Sequence, residues 1–286
     1  MKGVKMEREQ LVEIYRDTVR ICQEGGYTNS LGERIDLGTS GPNGPYRLDE
    51  VFNALANDKC GDFPFRRTEI EVQNVDTVLA GKELLGKGFR PAILNMGSTW
   101  HPGGGVERGS RTQEESLFRR STLCQTLAPL KNFCYPFFNF PTVIYSPNAI
   151  FFRGPESEGC RLLDRPLHLP VVTTAAVDNS DRKHDKSEFS CGPSHQIMVA
   201  RLMHLFSLAV AKGHDALVLG ALGCGAYGNP PDKVAETFKQ VLGGYAGMFA
   251  KIVFAVLDRH AEDRNGNYQT FKRALDGCEL VGSERD

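Results

Sequence analysis

The sequence predicts an α/β layered domain. Three observations carry this. Short apolar runs have the length of buried strands, stretches at helical spacing separate them, and glycine-rich loops follow two of the runs. The 286 residues are 41% hydrophobic and 24% charged, enough apolar material for a sizeable core.

Taken in order, residues 6–24 place Leu11, Ile14, Tyr15, Thr18, Ile21 and Cys22 at helical spacing, and Gly25-Gly26 ends that helix. Residues 27–46 are rich in Gly, Ser, Asn and Pro and read as a loop, with a short helix over 48–56 after it. A strand follows over 69–75 and a helix over 76–85, with Asp76 or Thr77 near its cap. The run 92–96 (AILNM) reads as a buried strand, and 114–127 as a helix stopped by Pro129. Residues 143–146 and 149–153 form two short strands around a Pro-Asn turn, and 169–176 is β-rich. The polar segment 178–194 reads as a surface loop. A helix over 196–212 has Ser194 as its N-cap candidate. Strands over 216–222 and 251–257 and helices over 231–242 and 268–275 complete the pattern. Apolar strands alternating with helices indicate a buried mixed or parallel sheet.

The net charge of −1 gives no global case for nucleic-acid binding. No apolar run approaches the roughly 18 residues of a membrane span, and the N-terminus lacks the apolar core of a secretory signal. The eight cysteines are scattered without a C-x-x-C pair, which fits reduced thiols and an intracellular protein, and no metal template is present. His101 stands alone, and no cofactor is expected.

Chemistry concentrates in residues 101–120, HPGGGVERGSRTQEESLFRR. Gly103, Gly104 and Gly105 let backbone amides approach a ligand closely. Gln113, Glu114 and Glu115 open the following helix, and the two carboxyls suit acid/base work. On a regular helix consecutive side chains diverge, so both glutamates reach one ligand only if the helix start is bent. A glutamate pair at a helix start is, by itself, usually an exposed cap. The second element, 220–231 (GALGCGAYGNPP), also follows a strand and precedes a helix. Two such loops beyond adjacent strand ends make walls of a cleft, with amides suited to a diphosphate.

Gly223, Gly225 and Gly228 spell G-x-G-x-x-G literally. The context opposes a dinucleotide turn. No acid stands about 20 residues on, the run GGYAGMFA is small and apolar, and Pro230-Pro231 intrudes where the helix should start. Cys224 has no histidine placed by sequence to activate it. Trp100 either lines the cleft or covers the core, and Arg119-Arg120 read as a solvated helix face.

Several ordered blocks together, ILNMGSTWHPGGG, QEESLFRRSTL, IYSPNAIFFRG, LPVVTTAA and LGALGCGAYGNPP, resemble the microbial-type poly(ADP-ribose) glycohydrolases. The resemblance implies a macrodomain, a three-layer α/β/α fold with a mixed central sheet. It would comprise residues 61–286, preceded by an N-terminal helical accessory extension, 1–60. It implies that Glu115 is the catalytic carboxyl and that Glu114 orients the distal ribose. Gly103–Gly105, with Asn95 and Gln113, would line the ribose side, and Gly223, Cys224, Gly225 and Ala226 would donate amides to the diphosphate. Tyr227 stands where the family usually has Phe, and would pack on the distal ribose. Ser98 replaces a second Asn, and Arg111-Thr112 precede QEE where small residues are usual; both border the ribose site. The partner implied is ADP-ribose or poly(ADP-ribose) on a modified macromolecule, without membrane or general nucleic-acid binding. A hydrolase of mono-ADP-ribose linkages and a non-catalytic reader remain open. Aromatics near Tyr145 or Phe151 are candidates for gripping adenine.

Overall fold

The computed structural model describes residues 6–39, 44–46, 64–137, 143–180 and 192–282. Helix α1 (Arg8–Gln23) leads to a hairpin of β1 (Gly26–Thr28) and β2 (Arg34–Asp36), and then to β3 (Gly44–Tyr46). Next come β4 (Arg67–Gln73), α2 (Thr77–Gly86) and β5 (Pro91–Gly97), followed by α3 (Gln113–Arg120), α4 (Leu123–Leu127) and α5 (Lys131–Cys134). Then follow β6 (Val143–Arg153), β7 (Leu162–Ala175), α6 (Pro193–Ala211), β8 (Ala216–Leu219), α7 (Pro231–Gly243), β9 (Lys251–Ala255), α8 (Asn267–Leu275) and β10 (Glu279–Val281).

Eight strands form one mixed sheet in the order β10-β4-β9-β8-β5-β7-β6-β3. The five inner strands from β4 to β7 run parallel, and β10, β6 and β3 pair antiparallel with their neighbours. Successive residues of the inner strands enter opposite cores, as the two-residue strand period requires. Ile93, Val171, Val218 and Val253 pack with Ile21, Val78, Leu117, Phe118 and Leu123 of α1 to α4. Leu94, Val172, Leu217 and Ile252 pack with Leu202, Phe206, Phe238 and Phe271 of α6 to α8. The layering is therefore α/β/α, with the sheet buried on both faces. The carboxyl ends of β5, β7, β8 and β9 share one edge, and β5 pairs with both β7 and β8. The loops after β5 and β8 consequently stand side by side, where open α/β sheets bind ligands.

Several local expectations are corrected. The 27–46 loop contains the β1–β2 hairpin and β3, which extends the sheet by pairing with β6. These three-residue strands are too short to show alternation, and Pro45 is tolerated because β3 lies at the sheet edge. The two strands around Pro147-Asn148 are one strand, β6, with a register shift between Ser146 and Ala149 that absorbs the proline. The helix expected over 114–127 breaks at Ser121, which is extended and bridges Phe151. The α-helix ends at Leu127 as expected, and Pro129 sits in the 3-10 turn that leads on to α5. Helix α6 is capped by Gly192 with Pro193 in its first turn, not by Ser194. The short edge strand β10 was not anticipated. The expected helix over 48–56 and the segment 181–191 lie outside the described residues.

Among the described residues no helix is long and apolar enough to cross a membrane. Cys22, Cys124, Cys134 and Cys160 are buried free thiols.

Candidate active site

Thr112 opens α3 with a capping box. Glu115, in the third helical position, accepts from the Thr112 amide at 2.9 Å and from its hydroxyl through Oε2. Its Oε1 accepts from the Gly105 amide at 2.9 Å. Glu114 reaches the other way. Its Oε2 accepts from the Ser98 amide at 2.7 Å, and Oε1 accepts from the Gly103 amide at 3.2 Å and from Asn95 Nδ2 at 3.4 Å.

The two carboxyls converge on Gly104, which has φ +51°. A Cβ there would lie 2.7 Å from Glu115 Oε1 and 3.3 Å from Glu114 Oε2, so only glycine fits. The glycine loop curls around the first turn of the helix, and its amides meet both side chains. Burial pushes the Glu114 carboxyl up to about 8 against the opposing pull of the Ser98 and Gly103 amides, with the Glu115 charge adding to the rise. Glu114 is 1% exposed and Glu115 5%.

The supporting residues are equally committed. Asn95, fully buried at the end of β5, shares its amide between Glu114 and the Thr173 hydroxyl. The Gln113 side chain donates to the Leu94 carbonyl at 2.6 Å and accepts from the Met96 amide at 2.9 Å, which ties the helix start to β5. The His101 ring nitrogen Nε2 lies 2.8 Å from the Gly104 carbonyl oxygen, so His101 braces the loop. Trp100 is 54% exposed, which excludes the core-covering alternative.

The second loop is shaped by Gly223 and Asn229. Asn229 Nδ2 donates to Val177 O at 2.9 Å and Gly223 O at 3.1 Å. A Cβ at Gly223 would lie 2.2 Å from that nitrogen and 2.4 Å from Ala176 Cβ. Among the described residues no acceptor faces the amides of Gly225, Ala226 or Tyr227, a run of consecutive donors of the kind that cradles anions. Burial pushes the Cys224 thiol up, so it is no ready thiolate. Tyr227 links the two loops: its hydroxyl accepts from the Thr99 amide at 2.6 Å.

Sequence reasoning missed Thr99, Thr173 and Asn229; Asn229 alone left a signal, the polar residue closing the loop before Pro230. It misplaced others. Arg119 and Arg120 are buried rather than solvated. Arg120 pairs with Asp76 at 2.7 Å, and Arg119 pairs with Glu156 and donates to Ser110 O at the end of the glycine loop. Helix α3 is wedged between the sheet and α1, so its last turn has no open face. Phe151 is fully buried, and the Tyr145 hydroxyl is held by His214 Nε2 at 2.9 Å, so both belong to the core.

The family model for the microbial-type poly(ADP-ribose) glycohydrolase (PARG) catalytic domain matches residues 15–154. The structure of PARG from Thermomonospora curvata bound to the inhibitor ADP-HPD is 31% identical, with a TM-score of 0.79 over 93% of this chain and 99% of that one. The chain belongs to the microbial-type PARG family. Another structure of the Thermomonospora PARG superposes with a TM-score of 0.81 at 30% identity, over 93% of this chain and 99% of that one. The PARG from Deinococcus radiodurans in complex with ADP-ribose is 28% identical, with a TM-score of 0.69 over 81% of this chain and 93% of that one. No curated protein sequence matches. The three-layer fold is the macrodomain-like fold of these PARGs.

Proposed function

We propose that this protein hydrolyses the ribose–ribose O-glycosidic bond of poly(ADP-ribose) and releases ADP-ribose. The observation that carries the reading is the convergence of Glu114 and Glu115 on Gly104 at the carboxyl edge of the sheet. The amide run at Gly225, Ala226 and Tyr227 is suited to the diphosphate, with Gly223 and Cys224 shaping its approach. The ADP-ribose bound by the Deinococcus relative is the ligand this arrangement fits.

Glycoside cleavage passes through an oxocarbenium-like state and needs a proton for the leaving oxygen and a base for water. Glu115 serves twice: in its protonated form it donates that proton to the leaving oxygen, and the carboxylate left behind takes one from the attacking water. Glu114 orients the ribose hydroxyls. A neutral Glu114 at pH 7 lowers the negative charge beside an anionic ligand. Asn95 and Gln113 act as braces of the glutamates, and Gly103–Gly105 hold the carboxyls in place.

Residues 1–60 form the accessory extension of this reading, and α1 buttresses the catalytic helix. Thr18 Oγ1 donates to Arg119 O at 2.6 Å, and Arg8 Nε donates to Arg108 O at 2.7 Å. The free thiols fit a reducing, intracellular setting, cytoplasm or nucleus.

The test is product analysis by mass spectrometry after incubation with poly(ADP-ribose), beside Glu115→Ala. Free ADP-ribose from the wild type alone supports the reading. Tight ADP-ribose binding without product would instead identify a reader, or a hydrolase of mono-ADP-ribose linkages.

A further inference from the structure

Among the described residues four arginines are buried: Arg119, Arg120, Arg153 and Arg201. The first three each meet a carboxylate, Glu156, Asp76 and Asp17 respectively. Arg201 differs. It projects from α6, is 2% exposed, and among the described residues pairs with no carboxylate. Its Nη1 donates to Ala175 O at 2.8 Å and its Nη2 to Phe137 O, while Nε has no partner among the described residues. Burial pulls the guanidinium down to about 10, so it stays cationic at neutral pH. Among the described residues only two backbone carbonyls compensate this buried charge, a costly arrangement, and its field reaches the groups around it.

The surroundings identify the beneficiary. Ala175 ends β7, and the next two residues carry the loops: Ala176 O accepts from Thr99 Oγ1 at 3.3 Å, and Val177 O accepts from Asn229 Nδ2. Phe137 N donates to Thr99 O at 2.8 Å. Both carbonyls held by Arg201 therefore lie one hydrogen-bonded step from Thr99, whose amide fastens Tyr227.

We infer that Arg201 is a positioning and specificity-determining residue: a fixed positive charge behind the two loops that favours a diphosphate-bearing ligand over its uncharged nucleoside portion. The inference deepens the function proposed above and rests on it. At an effective dielectric of about 20, a unit charge about 10 Å from an anion would change its affinity by about tenfold. A purely structural tie between Ala175 and Phe137 makes a different prediction, because its loss weakens charged and neutral ligands alike.

The experiment is calorimetry on the full chain with ADP-ribose and with adenosine, for wild type, Arg201→Met and Arg201→Lys, with thermal melts to establish folding. The expected result is an approximately tenfold loss for ADP-ribose in Arg201→Met, adenosine unchanged within about twofold, and recovery of most of the loss in Arg201→Lys. If Arg201→Met does not fold, Arg201→Gln, a shorter neutral polar side chain, provides the same comparison. Equal losses for both ligands, or no loss for ADP-ribose, overturn the inference while leaving the proposed function standing. Wild type that binds neither ligand overturns the proposed function and the inference together.

Discussion

The Tyr227 hydroxyl accepts the Thr99 amide hydrogen at 2.6 Å, and this bond fastens the loop after β8 to the loop after β5. The Thr99 amide is adjacent to the Ser98 amide that holds Glu114, so one short segment serves both loops. Tyr227→Phe keeps the ring and removes the acceptor. ADP-ribose affinity should fall about fivefold, the worth of one hydrogen bond near 1 kcal/mol. Calorimetry that finds unchanged affinity would show that the bond does not order the site.

Glu115→Gln preserves shape and removes the titrating proton. Turnover of poly(ADP-ribose) should drop by about 10² to 10⁴, the usual range for a general acid/base. ADP-ribose binding should change far less. Near-normal turnover would move the chemistry to another residue.

Gly104→Ala places a methyl 2.7 Å from Glu115 Oε1 at a backbone of φ +51°. Both carboxyls must move or the loop must open. We expect an activity loss of about 100-fold or more, with stability lowered by about 1–3 kcal/mol. A steady-state assay beside a urea titration separates the two; retained activity would refute the close approach.

Glu114 titrates near 8 in the fold against an ordinary 4.5. The native state therefore holds a proton that the unfolded chain releases, and this contribution is present below pH 4.5 and lost as pH rises toward 8. The slope amounts to at most about 1.4 kcal/mol per pH unit. Urea unfolding between pH 5.5 and 7.5 should show a stability decline in the wild type that is shallower in Glu114→Gln. Identical slopes would mean that Glu114 is already ionised.

Arg120 and Asp76 form a buried pair at 2.7 Å, and Asp76 also caps α2 by accepting from the Val78 and Leu79 amides. Arg120→Met leaves the carboxylate without its cation. A loss of about 3–5 kcal/mol is expected, read by chemical denaturation. A loss below about 1 kcal/mol would place the pair among exposed ion pairs.

The layered fold was legible because the inner strands are continuous apolar runs, as at 92–96, and because Asp76 announces α2 with a capping side chain. The glutamate pair and both glycine loops were legible because their spacing is local. What escaped was contextual. Arg119 and Arg120 carry charge, and charge alone reads as solvent exposure; only the packing of α1 and the sheet around α3 reverses that. Arg201 sits in an apolar helix with no local partner, so nothing in its neighbourhood along the chain marks it. The short strands β1, β2, β3 and β10 are stabilised by pairing rather than by their own pattern.

The pairing of β5 with β8, which sets Pro91 opposite Ala216, has a temporal consequence. During synthesis the glutamate helix leaves the ribosome long before the loop that ends at Asn229. Until β8 adds beside β5, the carboxyls have no opposing wall. The cleft is therefore completed late, when β8 and then β9 fill the gap between β5 and β4.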